Sequence, residues 1–138
     1  MGIKKSAGLV IVYNDEILLI HPTNANWKDS YQIPKGMIED FEVPLDAAIR
    51  ETKEELGLDF TEHFKDHHGI CDGIISYKNG KGKTYKKVLY FIVRLNEKIE
   101  LDKTKLQLDE IDWAGFLDID EARKKIFWRF KPILEEIK

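Results

Sequence analysis

Three glutamates lie within five positions of the sequence, at Glu51, Glu54 and Glu55. In an α-helix of about 3.6 residues per turn, positions i, i+3 and i+4 share one surface patch. Like charges at that spacing weaken a helix unless something offsets their repulsion, and a divalent cation does so by binding the carboxylate oxygens. We therefore expect the three carboxylates to project from a side other than the apolar stripe of the helix and to converge on a metal ion.

The ligand types narrow the choice of metal. Carboxylate oxygens without a nearby Cys or His pair favour Mg²⁺, with Mn²⁺ as a substitute, over Zn²⁺. The alternative is a solvated charged helix face, which would be the better interpretation of an isolated glutamate run. The residues that surround the run decide between the two.

Four further residues frame the glutamates at fixed distances. Arg50 directly precedes the run and is placed to pair with a carboxylate, and Gly57 is a helix C-terminal signal. Gly36 lies fifteen residues before Glu51, with Glu42 between them. The full string is Gly36, five residues, Glu42, seven residues, Arg50-Glu51-Thr52, any residue, Glu54-Glu55, any residue, Gly57-Leu58.

This string resembles the Nudix box, the signature of the Nudix hydrolase family, over residues 36–58. Its seven fixed identities, at about one in twenty each, would coincide by chance about once in 10⁹ trials. Thr52 stands where the family usually has an aliphatic residue. Outside the box, the similarity extends to Ser6-Ala7-Gly8, Pro34-Lys35-Gly36, Tyr90-Phe91, Phe116 and Glu121-Ala122.

The resemblance implies both a fold and an activity. The fold is an α/β/α sandwich with a mixed central β-sheet, in which the box forms a loop–helix–loop within a single domain over residues 1–138. The activity is hydrolysis of the pyrophosphate bond of a nucleoside diphosphate that is linked to another group. Metal ions held by the glutamates would bind the pyrophosphate, polarise the P–O bond and lower the pKa of a bound water.

The resemblance also implies which residues hold the metal. Glu54 and Glu55 are the principal ligands, Glu51 is a ligand or the base that activates water, and the Gly36 carbonyl is a further ligand. Glu110 matches a late glutamate that the family often uses as base or ligand. The alternative for Glu110 is an exposed acid in a loop.

The remaining box residues have supporting roles by similarity. Arg50 would orient the carboxylates, as part of the catalytic set. Glu42 would pair with Arg50 or steady the loop before the helix, and Gly57 would end the helix.

The predicted substrate contacts lie on two basic segments. Lys35 directly precedes the box glycine, where it is placed to meet a phosphate. Residues 86–91 resemble a strand of the diadenosine polyphosphate hydrolases, a branch of the family in which a lysine and a tyrosine contact the polyphosphate and aromatic rings stack on adenine. A strand edge guarded by lysines and a core position for the strand tyrosine are the alternatives. The counterparts of these contacts here are Lys86, Tyr90, Tyr77 and Tyr85.

The resemblance leaves three alternative functions. The first is a Mg²⁺-dependent hydrolase of diadenosine polyphosphates, such as diadenosine tetraphosphate. The second is a housekeeping pyrophosphohydrolase of free or oxidised nucleoside triphosphates. The third is a non-catalytic module that senses a nucleotide, and the intact box glutamates argue against it.

Composition limits the other classes of partner. A net charge of -3 over 138 residues gives no global basic field, so we expect no stable nucleic-acid partner. The single cysteine, Cys71, excludes an intrachain disulfide and suits a reducing compartment. No apolar stretch approaches the ~20 residues of a membrane span, so we expect a soluble, cytoplasmic protein without a membrane partner. The oligomeric state does not follow from the sequence.

The elements that position these residues are predicted from hydrophobic periodicity and turn signals. Two short strands, 9–13 and 17–20, form a hairpin, and an irregular region with an extended piece at 31–33 leads to the box. Trp27 in that region is a candidate for base stacking, whereas Trp113 and Trp128 are expected to anchor the terminal helix. The other predicted elements are a helix over 44–56, a long hairpin of strands 70–77 and 86–95, a strand within 106–116, and a helix over 121–138 with a break or restart at Pro132.

Overall fold

A mixed β-sheet forms the centre of the molecule, as a computed structural model that describes residues 2–138 shows. Its six strands are β1 (Lys4–Tyr13), β2 (Glu16–Pro22), β3 (Lys35–Met37), β4 (Gly73–Lys78), β5 (Thr84–Leu95) and β6 (Ile111–Asp118). The strand order is β4-β5-β1-β2-β6, with β3 paired to β1. β1 and β5 are parallel, whereas the other pairs are antiparallel.

The sheet opens at one end because β1 and β2 separate. Their residues pair only at Val12↔Ile17 and Tyr13↔Glu16. Residues 32–37 occupy the gap, since Gln32 bridges Ile20 and β3 pairs with the start of β1. We call this the split end of the sheet; the starts of β1, β5 and β6 and the ends of β2 and β4 meet there. The beginning of the box is thereby held between two strands.

Helices cover both faces of the sheet. α1 (Pro44–Leu56) packs on one face, where Ala48 and Leu56 join Leu9 and Phe91 in one buried cluster. α2 (Ile119–Lys125) and α3 (Lys131–Ile137) cover the opposite face, where Ile133 packs in the cluster of Val10. The predicted α/β/α sandwich with a mixed sheet is confirmed.

The box helix has the bounds that the sequence predicts. Pro44 lies in its first turn, where the missing N–H has no helical partner to lose. Gly57 ends it in the left-handed region at φ 71, and its N–H donates to the Lys53 carbonyl. Both signals act locally, which is why the sequence was sufficient to place them.

The terminal helix differs from its prediction. It is divided into α2, a 3₁₀ turn at Trp128–Phe130 and α3, because Ile126 pairs with Tyr31 and interrupts the helix. The prediction that Trp128 anchors this segment is wrong, since its side chain is 60% exposed. Pro132 lies in the first turn of α3 and restarts the helix, as predicted.

One strand begins later than predicted, since β4 begins at Gly73 rather than at residue 70. β6 begins at Ile111, within the predicted region 106–116, and extends to Asp118. Residues 103–105 form a 3₁₀ turn, and the Gln107 carbonyl accepts from the N–H groups of Glu110 and Ile111 in a turn before β6. None of the described helices is long and apolar enough to cross a membrane.

Phe41, in the loop between β3 and α1, is fully exposed and has φ 65, in the left-handed region. This backbone conformation costs an L-residue roughly 1–2 kcal/mol, whereas glycine adopts it without strain. We expect Phe41→Gly to raise the free energy of unfolding by about 1 kcal/mol, measured by urea denaturation. Phe41→Ala keeps the strain and should leave stability unchanged; equal stabilisation by both variants would contradict this explanation.

Candidate active site

Gly36 and Glu51 are in direct contact at the split end of the sheet. Gly36 lies in β3, paired with Ala7 of β1, and the carboxylate of Glu51 on α1 packs against its Cα. A Cβ at position 36 would overlap the carboxyl carbon of Glu51. Glycine is therefore required here by space, and its backbone lies next to the Glu51 carboxylate.

Arg50 is the centre of a charged network. Its Nε and Nη2 donate to the two carboxylate oxygens of Glu42 at 2.8 and 3.0 Å, in a bidentate pair. Nη1 donates to Glu51 at 2.9 Å and lies 3.3 Å from an oxygen of Glu54. Nη2 also donates to the Met37 carbonyl at 3.0 Å. One guanidinium thus ties the box loop to the helix.

The network shifts the titration of its members. Hydrogen bonds from Arg50 hold the pKa of Glu42 below its usual value, and the bonds to Glu42 raise the pKa of Arg50. Burial is the largest effect on Glu51 and raises its pKa, against the opposing hydrogen bond from Arg50. Arg50 therefore keeps Glu42 ionised and offsets part of the repulsion between the helix glutamates.

The three helix glutamates contact different partners in this structure, whereas the sequence predicts that they converge on a metal ion. Within residues 2–138, no three His, Cys, Asp or Glu side chains are grouped as a ready set of ligands. Arg50 draws Glu51 and Glu54 towards itself, whereas Glu55 accepts a hydrogen bond from the Lys35 N–H at 3.0 Å. The pairing partners, rather than the spacing along the helix, decide where each carboxylate points.

Glu55 is buried, although the sequence predicts that it projects from a side other than the apolar stripe of the helix. Its side chain lies under β3 and is only 7% exposed. Burial raises the pKa of Glu55 to about 8, and the charges of Glu51 and Glu110 act in the same direction. A carboxylate in this position is costly to ionise unless a cation lies beside it.

Glu110 lies near the same carboxylates. It is exposed in the turn before β6, and its charge contributes to the raised pKa of both Glu51 and Glu55. The Thr23 N–H donates to the Glu110 carbonyl at 3.0 Å and ties this turn to the loop after β2. The fold therefore brings a residue 59 positions after Glu51 to the box.

Two lysines lie near each other on the neighbouring strands, and one of them, Lys35, is also close to Glu55 and Glu51. Burial, followed by the charge of Lys86, lowers the pKa of Lys35 to about 8. Burial also lowers the pKa of Lys86, with a further contribution from Lys4. The Lys86 Nζ lies 5.2 Å from the centroid of the Tyr77 ring. Two cations that repel each other at a half-buried position form a ready site for a polyanion.

The three predicted tyrosines occupy different environments. Tyr77 is mostly buried on β4, and the exposed ring of Tyr85 meets it edge-on at 6.1 Å between centroids. Tyr90 is buried on the face covered by α3, and its hydroxyl hydrogen-bonds Glu136. Tyr77 and Tyr85 lie beside Lys86, whereas the Tyr90 hydroxyl is already engaged by the C-terminal helix.

Arg129 and Trp128 belong to the same surface but were not selected from the sequence. The Arg129 guanidinium lies 4.6 Å from the Tyr77 centroid and 4.4 Å from the Trp128 centroid. The sequence does contain a feature that could have identified them, because residues 123–131 include five basic residues interspersed with aromatic ones. They were not selected because a continuous helix was predicted there, with Trp128 anchoring it to the sheet.

Trp27 stacks on a buried histidine at the other side of the site. Its ring lies 3.5 Å from that of His21 at an angle of 6°. His21 is held by the Asp112 carboxylate at 2.5 Å and by the Asn26 carbonyl at 2.8 Å. The exposed face of Trp27 is thus fixed in orientation, as its predicted role in stacking requires.

The donor set fits a hard divalent cation. The groups gathered here are carboxylate oxygens, with the Gly36 backbone next to Glu51 and no Cys or His among them. The raised pKa of Glu55 is a second observation in favour, since a nearby cation would offset the cost of its buried charge.

Comparison with known proteins agrees with this geometry. A family model described as the NUDIX domain matches residues 3–137. The chain belongs to the Nudix family. Members of this family are hydrolases that generally use divalent metal ions, and the Nudix assignment made from the box is confirmed.

The proteins and solved structures to which this Nudix hydrolase is similar are named for several different activities. It is 32% identical over 133 residues to an RNA pyrophosphohydrolase of Pelagibacter ubique, with 88% of this chain and 82% of that protein covered. It is 29% identical over 115 residues to mRNA-decapping enzyme subunit 2 of Saccharomyces cerevisiae. That match covers 83% of this chain but only 11% of the yeast protein. The structure of a C. elegans Ap4A hydrolase binary complex superposes with a TM-score of 0.74 at 27% identity, covering 98% and 95% of the two chains.

The raised pKa of Glu55 predicts a pH dependence of the metal-free protein. The pKa is about 8 in the folded state against 4.5 as reference, so between these values the folded state binds more protons than the unfolded state. The contribution of protonated Glu55 to stability is complete below about pH 4.5 and is lost as the pH rises through about 8. Wild type should lose stability relative to Glu55→Gln across this range, measured by thermal unfolding with a chelator present.

A divalent ion supplies the control for this measurement. Added Mg²⁺ should raise the unfolding temperature of wild type near pH 8 more than that of Glu55→Gln. Parallel pH profiles for the two proteins would contradict the assignment of the shift to Glu55.

Proposed function

We propose that this Nudix hydrolase cleaves a pyrophosphate bond of dinucleoside polyphosphates, with diadenosine tetraphosphate as a representative substrate. The observation that carries the proposal is the position of Lys35 between Glu55 and Lys86 at the split end of the sheet. The lysines provide charge for a polyphosphate longer than the metal site itself neutralises. Residues 1–138 would act as one domain in this reaction.

The metal in the proposal is Mg²⁺, with Mn²⁺ as a substitute. Glu51, Glu54 and Glu55 would hold it together with the Gly36 carbonyl, and Glu110 is placed to join them. When bound, a divalent ion neutralises phosphate charge and lowers the pKa of a coordinated water.

The protein groups around the ligands have separate tasks. Arg50 fixes Glu51 and Glu54 relative to the β3 loop, and Glu42 holds Arg50 through both carboxylate oxygens. Gly57 ends α1 one turn beyond Lys53. These residues position the ligands without contacting the substrate.

The base that accepts the proton of the attacking water is assigned to Glu110. Glu51 is hydrogen-bonded to Arg50, which suits a ligand held in one orientation. Glu110 is exposed and lies near both Glu51 and Glu55. A carboxylate oxygen in that position is open to a water molecule at the site.

The substrate is oriented by cations and aromatic rings. Lys35 and Lys86 bind phosphate oxygens, which offsets the repulsion that lowers the pKa of Lys35. Tyr85 offers an exposed ring beside Lys86, and Trp27 offers a second ring on the loop tied to Glu110. Tyr90, the remaining predicted contact, has its hydroxyl bonded to Glu136 and is not assigned to a phosphate. Two separated rings match a substrate that carries a nucleobase at each end.

The comparisons support this substrate class without excluding a second one. The C. elegans structure is named as an Ap4A hydrolase, whereas the bacterial relatives are named as RNA pyrophosphohydrolases. Removal of pyrophosphate from the 5′ end of an RNA is therefore the second candidate. Hydrolysis of free or oxidised nucleoside triphosphates stays the alternative from the sequence, and cytoplasmic location stays a prediction.

Product analysis tests the reaction. With Mg²⁺ and diadenosine tetraphosphate, we expect two nucleotides and no free pyrophosphate, resolved by anion-exchange chromatography. A nucleoside triphosphate pyrophosphohydrolase would instead release pyrophosphate and a monophosphate from its preferred substrate. Faster turnover of nucleoside triphosphates than of the dinucleotide would overturn the first assignment.

Glu54→Gln tests the metal site. The amide keeps the shape of the side chain but removes a charged ligand, so the hydrolysis rate should fall on the order of 10²-fold or more. Glu62→Gln is the matched control, because Glu62 is exposed on a 3₁₀ turn outside the box. Wild-type rates for Glu54→Gln would exclude it as a ligand.

A further inference from the structure

Half of the basic residues lie in two short segments. Residues 73–96, which contain β4 and β5, carry six Lys and Arg and no Asp or Glu. Residues 123–131 carry five more, again without an acidic residue. Eleven of the 22 basic residues are thus concentrated in a chain whose net charge is -3. The overall charge conceals a local cationic region.

The two segments meet on one surface. The Arg129 guanidinium lies 4.6 Å from the Tyr77 centroid, 6.0 Å from that of Tyr85 and 4.4 Å from that of Trp128. The Lys86 ammonium lies 5.2 Å from the same Tyr77 ring. We call Tyr77, Tyr85, Lys86, Trp128 and Arg129 the aromatic–basic surface.

Part of the positive charge is not available to a ligand. Arg123 pairs with Asp120 and Glu135, and Lys125 pairs with Glu121. The Arg123–Glu135 contact joins α2 to α3, whereas the other two contacts lie within α2. Both cations are therefore directed to acids of these two helices. The cations that face the rings are Lys86 and Arg129.

The rings of this surface are open to a ligand. Trp128 is 60% exposed and Tyr85 is 47% exposed. A surface cavity of about 330 Å³ lies beside Trp128 and Arg129. A second cavity of about 580 Å³ is also lined by Trp128, together with Lys131 and Glu135. Large exposed aromatic rings stacked with a guanidinium are typical of sites that bind nucleobases.

The surface is continuous with the candidate active site. Glu55 accepts a hydrogen bond from the N–H of Lys35, and the charge of Lys86 acts on Lys35. Lys86 and Arg129 then share the Tyr77 ring, and Arg129 leads to Trp128. A ligand whose phosphate lies at the glutamates can therefore extend along these residues.

We infer that the aromatic–basic surface binds a single-stranded oligonucleotide, with bases stacked on Trp128 and Tyr85 and backbone phosphates next to Lys86. The direction of the strand rests on the second candidate under the proposed function, removal of pyrophosphate from the 5′ end of an RNA, because that polyphosphate would lie at the box glutamates. An acidic peptide would satisfy the lysines but leave the exposed rings without partners. The inference revises the expectation of no nucleic-acid partner, which averaged the charge over the whole chain.

The test uses a ligand that the proposed reaction cannot consume. A fluorescent single-stranded oligoribonucleotide with a 5′-hydroxyl carries no pyrophosphate bond, so its binding is independent of hydrolysis. We expect wild type to bind it with an affinity that falls as salt rises. Trp128→Ala should weaken binding about tenfold through the loss of stacking. Fluorescence anisotropy measures both effects.

Matched variants distinguish binding at the aromatic–basic surface from nonspecific attraction to positive charge elsewhere on the protein. Arg129→Ala should weaken binding strongly, whereas Arg94→Ala, which removes an equal charge at the opposite end of β5, should leave it within about twofold. Trp128 is exposed, so its truncation leaves the core intact, and circular dichroism checks the fold of each variant.

Three results would overturn the inference: no binding by wild type, unchanged binding by Trp128→Ala, or equal weakening by Arg129→Ala and Arg94→Ala. Displacement of the oligonucleotide by polyglutamate at equal charge concentration would identify an acidic-peptide surface instead. Failure of the protein to hydrolyse diadenosine tetraphosphate would remove the proposed function but not the binding surface. The two proposals therefore fail separately.

Discussion

The structure around the box depends on the repulsion between carboxylates that share one helix. Glu51, Glu54 and Glu55 cannot all be ionised and close together without a cation nearby. Arg50 supplies part of that charge by contacting Glu51 and Glu54 while it binds Glu42 through two hydrogen bonds. The remaining carboxyl, Glu55, is buried against β3. Its pKa is raised because burial makes the ionised form costly, and a nearby cation would lower that cost.

The separation of β1 from β2 brings the glutamates of α1 together with residues of the neighbouring strands. Because β1 and β2 separate, β3 fits between them and presents Gly36 to Glu51 and the Lys35 N–H to Glu55. The same opening places Lys35 near Lys86 on the neighbouring strand β5. Acidic groups on α1 and cations on the strands thus face a common region, which is the arrangement that a metal-bound polyphosphate requires.

The local distribution of charge tells more about possible ligands of this protein than its net charge does. A chain of net charge -3 combines an acidic helix with a cationic hairpin, and both border the split end of the sheet. Under the proposed function, an anionic substrate would be attracted by the hairpin, and a divalent ion held by the glutamates would offset its repulsion from the acidic helix. The bound metal would therefore favour binding of the substrate at the glutamates.

The sequence by itself determined the features that depend on neighbouring residues. The spacing from Gly36 to Gly57 identified the family, and Pro44 and Gly57 defined α1, because caps and periodicity act within one or two turns. The pairing of Arg50 with the glutamates also followed from their proximity along the chain.

Only the tertiary structure decided the contacts between distant segments. Glu55 is buried because β3 crosses above it, and Arg129 reaches Tyr77 because Ile126 pairs with Tyr31 and ends α2. Such contacts depend on which strands become neighbours and on where a helix stops, and neither is encoded in the residues that finally touch. For that reason the sequence identified the catalytic motif, whereas the fold determined which carboxylate is buried and which aromatic rings face solvent.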